Sequence, residues 1–255
     1  MVGETYSAYD WVREVVCGGS MKVVQAQGGL DTAFEGVAQE IFTLFAKKAS
    51  QEPLVLGLCG GRSVVGLLKA LRKIAATFPA ELLQRVQFFM VDERLVPLTD
   101  EQSNYGGLKK LLFDELTQSG VIAPSQLHPF VPNEKLPDYG CAAYAAELKQ
   151  YGGRFTCVVL GMGEDGHVAG LFPKHPLLQR AEPTFFSFFD SPKPPPQRMT
   201  CSRALIASAD LAIVLALGEA KREAWQRFNA EGTTEESCPA LFAQQARECM
   251  VVSDL

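Results

Sequence analysis

His167 lies in the stretch FTCVVLGMGEDGHVAGLFPKHP, Phe155 to Pro176, where an apolar run empties into glycines, two acids and an imidazole. On a sharp turn such a histidine can present a neutral ring nitrogen to water while a nearby carboxylate, Asp165, fixes its tautomer. The plainer alternative is a histidine that caps a short helix starting at Val168. His128 and His175 stand beside prolines in loop-like sequence and carry less chemical weight.

Three other groups could meet an anionic ligand. Cys59-Gly60-Gly61-Arg62-Ser63 follows the apolar run Leu54–Leu58 and leads into VVGLLKALRKIA, so its glycines allow close backbone approach and a helix N-terminus adds positive potential. GxxxxGK[ST] is absent, and a simple tight turn would also use these glycines. Val91-Asp92-Glu93-Arg94 ends a further apolar run, with Ser103-Asn104-Tyr105 shortly after. Consecutive charges there need solvent or partners, which a ligand edge or a salt-bridged surface turn would supply. Arg198 follows the proline-rich SPKPPP, and Lys221 falls in the first turn of a helix, where a cation opposes the helix dipole unless an anion is bound. Both also read as solvated surface charges.

Gly161, Gly163 and Gly166 satisfy GxGxxG after a strand, with Asp190 downstream where a ribose-binding acid would stand. Pro173 and Pro176 interrupt the long helix that a dinucleotide site requires. That argues against a nicotinamide or flavin enzyme.

The elements that must position these residues alternate between apolar strand-like runs and helix-period segments, the pattern of an α/β fold with a mainly parallel sheet. Strands are expected at 22–26, 54–58, 86–91, 155–160, 184–189 and 211–217. Helices are expected at 31–49, from about 63, and at 104–116, 138–151 and 219–229. Asp31 is the expected N-cap of the first, and Phe34, Val37, Ile41 and Phe45 its apolar stripe. Ligands of such sheets bind beyond the carboxyl ends of the strands, which is where His167, Gly60–Ser63 and Asp92–Arg94 fall. One domain is expected over 21–255, with 1–20 as an N-terminal extension and 95–150 as a candidate cap.

A net charge of −5 argues against a non-specific nucleic-acid binder, and no apolar run approaches a membrane span. The seven cysteines show no metal-binding spacing, so small buried hydrophobes in a reducing compartment are expected, with no metal. The opening MVGETYSAYDWVREVV lacks the basic start and apolar core of a signal peptide, and a cytoplasmic protein is the expectation.

Taken together, CGGRS, VDERLVPLTDEQSNYG, LGMGEDGHVAGLFPKHP, the KPPPQR loop and the ALGEAK turn resemble the 6-phosphogluconolactonases, in order and over nearly all of residues 21–230. These belong to the glucosamine-6-phosphate isomerase/6-phosphogluconolactonase family. The related glucosamine-6-phosphate deaminases share the GEDGH core but continue toward an AFNEP-like sequence, whereas this chain continues AGLFPKHP. The resemblance implies a three-layer α/β sandwich with a Rossmann-like sheet, related to those deaminases and to ribose-5-phosphate isomerase. It implies cofactor-free hydrolysis of 6-phospho-D-glucono-1,5-lactone, in the oxidative branch of the pentose phosphate pathway. A sugar-phosphate deaminase or isomerase, and a non-catalytic sugar-phosphate sensor, are the alternatives.

By the same resemblance His167 would be the general base, Asp165 its orienting partner and Arg94 a holder of substrate or oxyanion. Asp92 and Asn104 would shape the sugar pocket, and Gly60, Gly61, Arg62, Ser63, Arg198 and Lys221 would hold the phosphate. One departure stands out: the family more often reads SGGSTP where this chain reads CGGRSVV, placing Arg62 at a position usually small.

Overall fold

The computed structural model describes residues 12–14, 21–26 and 29–255. The strands are β1 (Val12–Glu14), β2 (Met21–Gln25), β3 (Leu54–Leu58), β4 (Val86–Met90), β5 (Asp92–Arg94), β6 (Leu127–His128), β7 (Cys157–Gly161), β8 (Phe185–Phe188), β9 (Arg198–Cys201), β10 (Leu211–Ala216) and β11 (Glu248–Ser253). The larger sheet runs β1-β2-β11-β10-β7-β3-β4-β6 and is parallel except for β1 against β2. An antiparallel sheet, β5-β9-β8, stands beside it. Both LVLGL of β3 and LAIVLA of β10 are buried throughout, as expected of parallel strands covered on two faces.

The strand order locates the cleft. From β2 through β3 and β4 to β6 the chain steps toward one edge, and from β6 through β7 and β10 to β11 it steps back. Crossovers between parallel strands are right-handed, so the two directions of travel put their connections on opposite faces. Helices Leu30–Ala46 and Val65–Ala75 pack together on one face, and the 3₁₀ segment Pro239–Gln245 packs on β10 and β11 on the other. The reversal falls between β3 and β7. The loops leaving these neighbouring strands diverge, and the crevice at their carboxyl ends is where open α/β sheets bind ligands.

Phe34, Val37, Ile41 and Phe45 are all buried, as the stripe required. Asp31 is not the N-cap: Gly29, at φ 94°, holds that position, and Asp31 stands in the first turn, while the helix ends at Ala46. The helix expected at 104–116 runs over 104–118 with a π-helical middle at Lys109–Phe113. The strand expected at 184–189 joins the smaller sheet. Its partner β9, and β11, an interior strand paired with both β2 and β10, were not expected from the sequence. Residues 95–150 supply β6 to the edge of the main sheet and helix Cys141–Gln150 against β8. Of the expected N-terminal extension, only Val12–Glu14 falls within the described residues, as β1. No helix among the described residues is long and apolar enough to cross a membrane.

The two helices of the first face meet at Gly66, where a β-carbon would stand 2.1 Å from Phe34 Cε2. Gly→Ala in a helix ordinarily stabilises, but buried overpacking costs about 1–3 kcal/mol and outweighs that gain. Gly66→Ala is therefore expected to lower the urea midpoint, and an unchanged or raised midpoint would contradict this packing.

Candidate active site

A cavity of about 670 Å³ opens at the carboxyl ends of β3, β4, β7 and β10. Its walls include Gly60, Gly61, Arg62, Ser63, Asp92, Arg94, Asn104, His167, Arg198 and Lys221, so residues up to 161 positions apart in sequence share one space.

The loop after β7 carries the imidazole. Gly163 N–H donates to the His167 carbonyl at 2.8 Å and Gly166, at φ 88°, donates to the Gly163 carbonyl at 3.0 Å, closing a tight turn. No helix follows: Val168 and Leu171 form an isolated bridge, which removes both the helix-cap and the dinucleotide readings of this stretch. His167 Nδ1 lies 2.5 Å from Asp165 Oδ1, and the same oxygen accepts from the His167 N–H at 3.2 Å. Burial disfavours the Asp165 anion, but the hydrogen bond and charge of His167, with Lys193 adding to them, hold the carboxyl far below its ordinary range. A carboxylate only accepts, so the shared proton belongs to Nδ1, and in the neutral ring the lone pair belongs to Nε2. Nε2 has no partner among the described residues. The ring leans on Phe172, centroids 4.5 Å apart, and a β-carbon at Gly163 would fall 2.0 Å from Nδ1.

Opposite, Gly60 and Gly61 leave β3 and feed a 3₁₀ turn, Arg62–Val64, then helix Val65–Ala75. Gly60 and Gly61 N–H groups have no partner among the described residues, and the helix start adds positive potential. Arg62 is exposed at the rim and Ser63 half-buried. Lys221, after β10, reaches within 3.9 Å of Glu164 Oε1; burial lowers its pKa, with Lys193 and Arg62 adding repulsion. Arg62 and Lys221 both line the cavity.

The third wall is polar. Asp92 is buried, its Oδ2 and main-chain oxygen accepting from Asn104 Nδ2 at 3.1 and 3.0 Å. Burial raises its pKa, against the pull of Arg94, Arg198, His167 and Asn104. Asn104 presses so closely on Gly60 that a β-carbon there would lie 2.1 Å from Oδ1. Arg94 Nη1 donates to the Gln102 carbonyl at 2.5 Å, while its buried Nε has no partner among the described residues.

Arg198 is part of the cavity wall, with several of its guanidinium donors turned to backbone carbonyls. Its Nε donates to the Pro195 carbonyl at 3.0 Å and its Nη2 to those of Pro194 and Lys193 at 3.1 and 3.2 Å. The charges it feels are Asp92 and Arg94, not Lys221 or Arg62. It shares the cavity with Lys221 and the glycine loop, and it also anchors the proline-rich segment. That segment delivers Lys193, a residue absent from the sequence reading, to 3.9 Å from Asp165 Oδ1. Cys59 lines the cavity, but burial and the Asp92 charge push its thiol up to about 12, so it is no ready nucleophile. The six described cysteines are free and buried, and no cluster of metal-binding side chains occurs among the described residues.

Residues 30–252 match the family described as glucosamine-6-phosphate isomerases/6-phosphogluconolactonase, and the chain belongs to this family. It is 32% identical over 200 residues to a 6-phosphogluconolactonase of Borreliella burgdorferi, covering 78% of this chain and 83% of that one. With the human 6-phosphogluconolactonase it shares 36% over 196 residues, 74% of this chain and 73% of the other. Among solved structures, 6-phosphogluconolactonase from Thermotoga maritima superposes with a TM-score of 0.75 at 23% identity, covering 92% of this chain and 99% of that one. A monomeric glucosamine-6-phosphate deaminase gives 0.71 at 20%, over 92% and 96% of the two chains. The last two likenesses establish the shared α/β fold.

Asp165 also makes acid stability legible. A carboxyl whose pKa is lower in the folded than the unfolded chain adds stability that is full above the unfolded value, about 3.9, and is lost as pH falls toward the folded one. Asp165→Asn should therefore lose less stability than the parent between about pH 5 and pH 3, read as the change in urea midpoint. Equal acid losses in the two proteins would contradict the depressed pKa.

Proposed function

We propose that the protein hydrolyses 6-phospho-D-glucono-1,5-lactone to 6-phospho-D-gluconate, by general-base activation of water and without a covalent intermediate. The observation that carries this is His167, its Nδ1 occupied by Asp165 and its Nε2 left with a lone pair in the neutral ring, in a cavity also lined by Arg62, Lys221 and two unpartnered glycine N–H groups. The family membership and the lactonase names of the relatives at 32 and 36% identity favour a lactone over an amino sugar as substrate.

In this mechanism the phosphate binds the Gly60–Ser63 loop and Lys221, with Asp92 and Asn104 meeting sugar hydroxyls. Nε2 takes a proton from water as its oxygen bonds to C1, and the carbonyl π-electrons move onto oxygen, stabilised by Arg94. Asp165 stabilises the imidazolium that forms. When the tetrahedral species collapses, the bond from C1 to the ring oxygen breaks and Nε2–H protonates that leaving oxygen, restoring the base. Such acid–base help is worth about 10²–10⁴-fold. The remote phosphate contacts hold the lactone in an attack geometry.

Initial rates with freshly generated lactone, corrected for spontaneous hydrolysis, test the proposal. His167→Ala should lose about 10²–10⁴-fold in kcat while still binding 6-phosphogluconate. Lys221→Ala should chiefly raise KM. Near-normal turnover in His167→Ala would remove the base, and ammonia release from glucosamine 6-phosphate without lactonase activity would favour the deaminase.

A further inference from the structure

Glu93 is fully buried and lines none of the cavity, although both of its sequence neighbours, Asp92 and Arg94, do. A carboxylate without solvent is tolerated only when its lone pairs are met. Here Oε1 accepts from the N–H groups of Arg94 and Asn104, each at 2.7 Å. Oε2 accepts from the Tyr105 N–H at 2.8 Å and the Ser103 hydroxyl at 3.1 Å.

These donors have a common origin. Asn104 and Tyr105 open a helical segment, where N–H groups lack partners inside the helix, and Ser103 is its N-cap, its Oγ accepting from Gly106 N–H at 3.0 Å. A carboxylate carried by β5 thus sits on the start of a helix ten residues later and closes the excursion between them. Burial raises its pKa against the pull of the three N–H groups. Protonation would set an O–H against one of four donors, so the geometry suits the anion.

We propose that Glu93 is a positioning residue for the sugar end of the cleft: its carboxylate fixes Asn104 against Asp92 and over Gly60, and so sets the wall that recognises the lactone hydroxyls. The proposal rests on the lactonase reading of the site. Glu93 touches no substrate; it acts through Asn104, whose amide spans Asp92 at 3.0 and 3.1 Å.

Glu93→Gln keeps the shape but turns an NH₂ toward groups that donate. In variant protein shown to be folded at the assay temperature by circular dichroism, kcat/KM for the lactone should fall about ten-fold or more. Inhibition by inorganic phosphate should weaken less than kcat/KM because, of the phosphate ligands, only Gly60 touches Asn104, while Arg62 and Lys221 are carried by other elements. Adding Asn104→Ala should cost no more than the larger single effect, since both changes damage one contact. Ser103→Ala, which removes one donor and leaves the carboxylate, should show a smaller loss, with phosphate inhibition again the less affected, and it decides the matter if Glu93→Gln does not fold. Unchanged kcat/KM in the folded variant, losses that multiply with Asn104→Ala, or a parallel loss of phosphate inhibition would overturn the positioning role. Absence of turnover in the unaltered protein would overturn the lactonase reading and this proposal with it, whereas normal turnover with an unaffected variant overturns this proposal alone.

Discussion

The contact between Asp165 Oδ1 and His167 Nδ1, at 2.5 Å, decides which ring nitrogen carries the proton and therefore which one faces the cavity with a lone pair. Much of the local structure serves that contact. Gly163 has no side chain because any would occupy the place of the imidazole, and Gly166 takes the positive φ that turns the chain back. Phe172 fixes the ring from its face, and Lys193, delivered by a loop pinned to Arg198, adds a positive charge beside the carboxylate. A histidine held this way needs no further reorganisation to accept a proton, which is what preorganised catalysis requires.

The sheet makes the rest of the cleft follow. Because the chain reverses its direction of travel between β3 and β7, their loops part over a crevice with the imidazole on one lip and the glycine loop on the other. The smaller sheet then closes a third side with Asp92 and Arg94, directly after β4. Cations and acids share these walls: Lys221 stands near Glu164, and the buried Asp92, bridged by Asn104, feels Arg94 and Arg198. A substrate that carries an anion, hydroxyls and a carbonyl finds cationic and polar partners there.

Much of this was legible in the sequence, because buried parallel strands read as uninterrupted apolar runs and their polar endings mark the ligand edge. LVLGL, VQFFM and LAIVLA were found within a residue or so, and the residues following them line the cavity. What escaped depends on contacts distant in sequence. Spacing cannot show that the Arg198 guanidinium, besides lining the cavity, turns back to bond carbonyls three to five residues earlier. Lys193 was hidden for the same reason. Glu93 read as one of several edge charges, since nothing in VDER reveals that its partners lie at residues 103–105. RMTC is a four-residue strand with little periodic signal, whereas ECMVVS, as long as LAIVLA, has no such explanation.

The most direct measurement is a crystal structure with 6-phosphogluconate bound. The C1 carboxylate is expected within hydrogen-bond distance of His167 Nε2, with the phosphate on the Gly60 and Gly61 N–H groups beside Lys221. A product bound in the reverse sense, or with C1 beyond reach of His167, would contradict the mechanism.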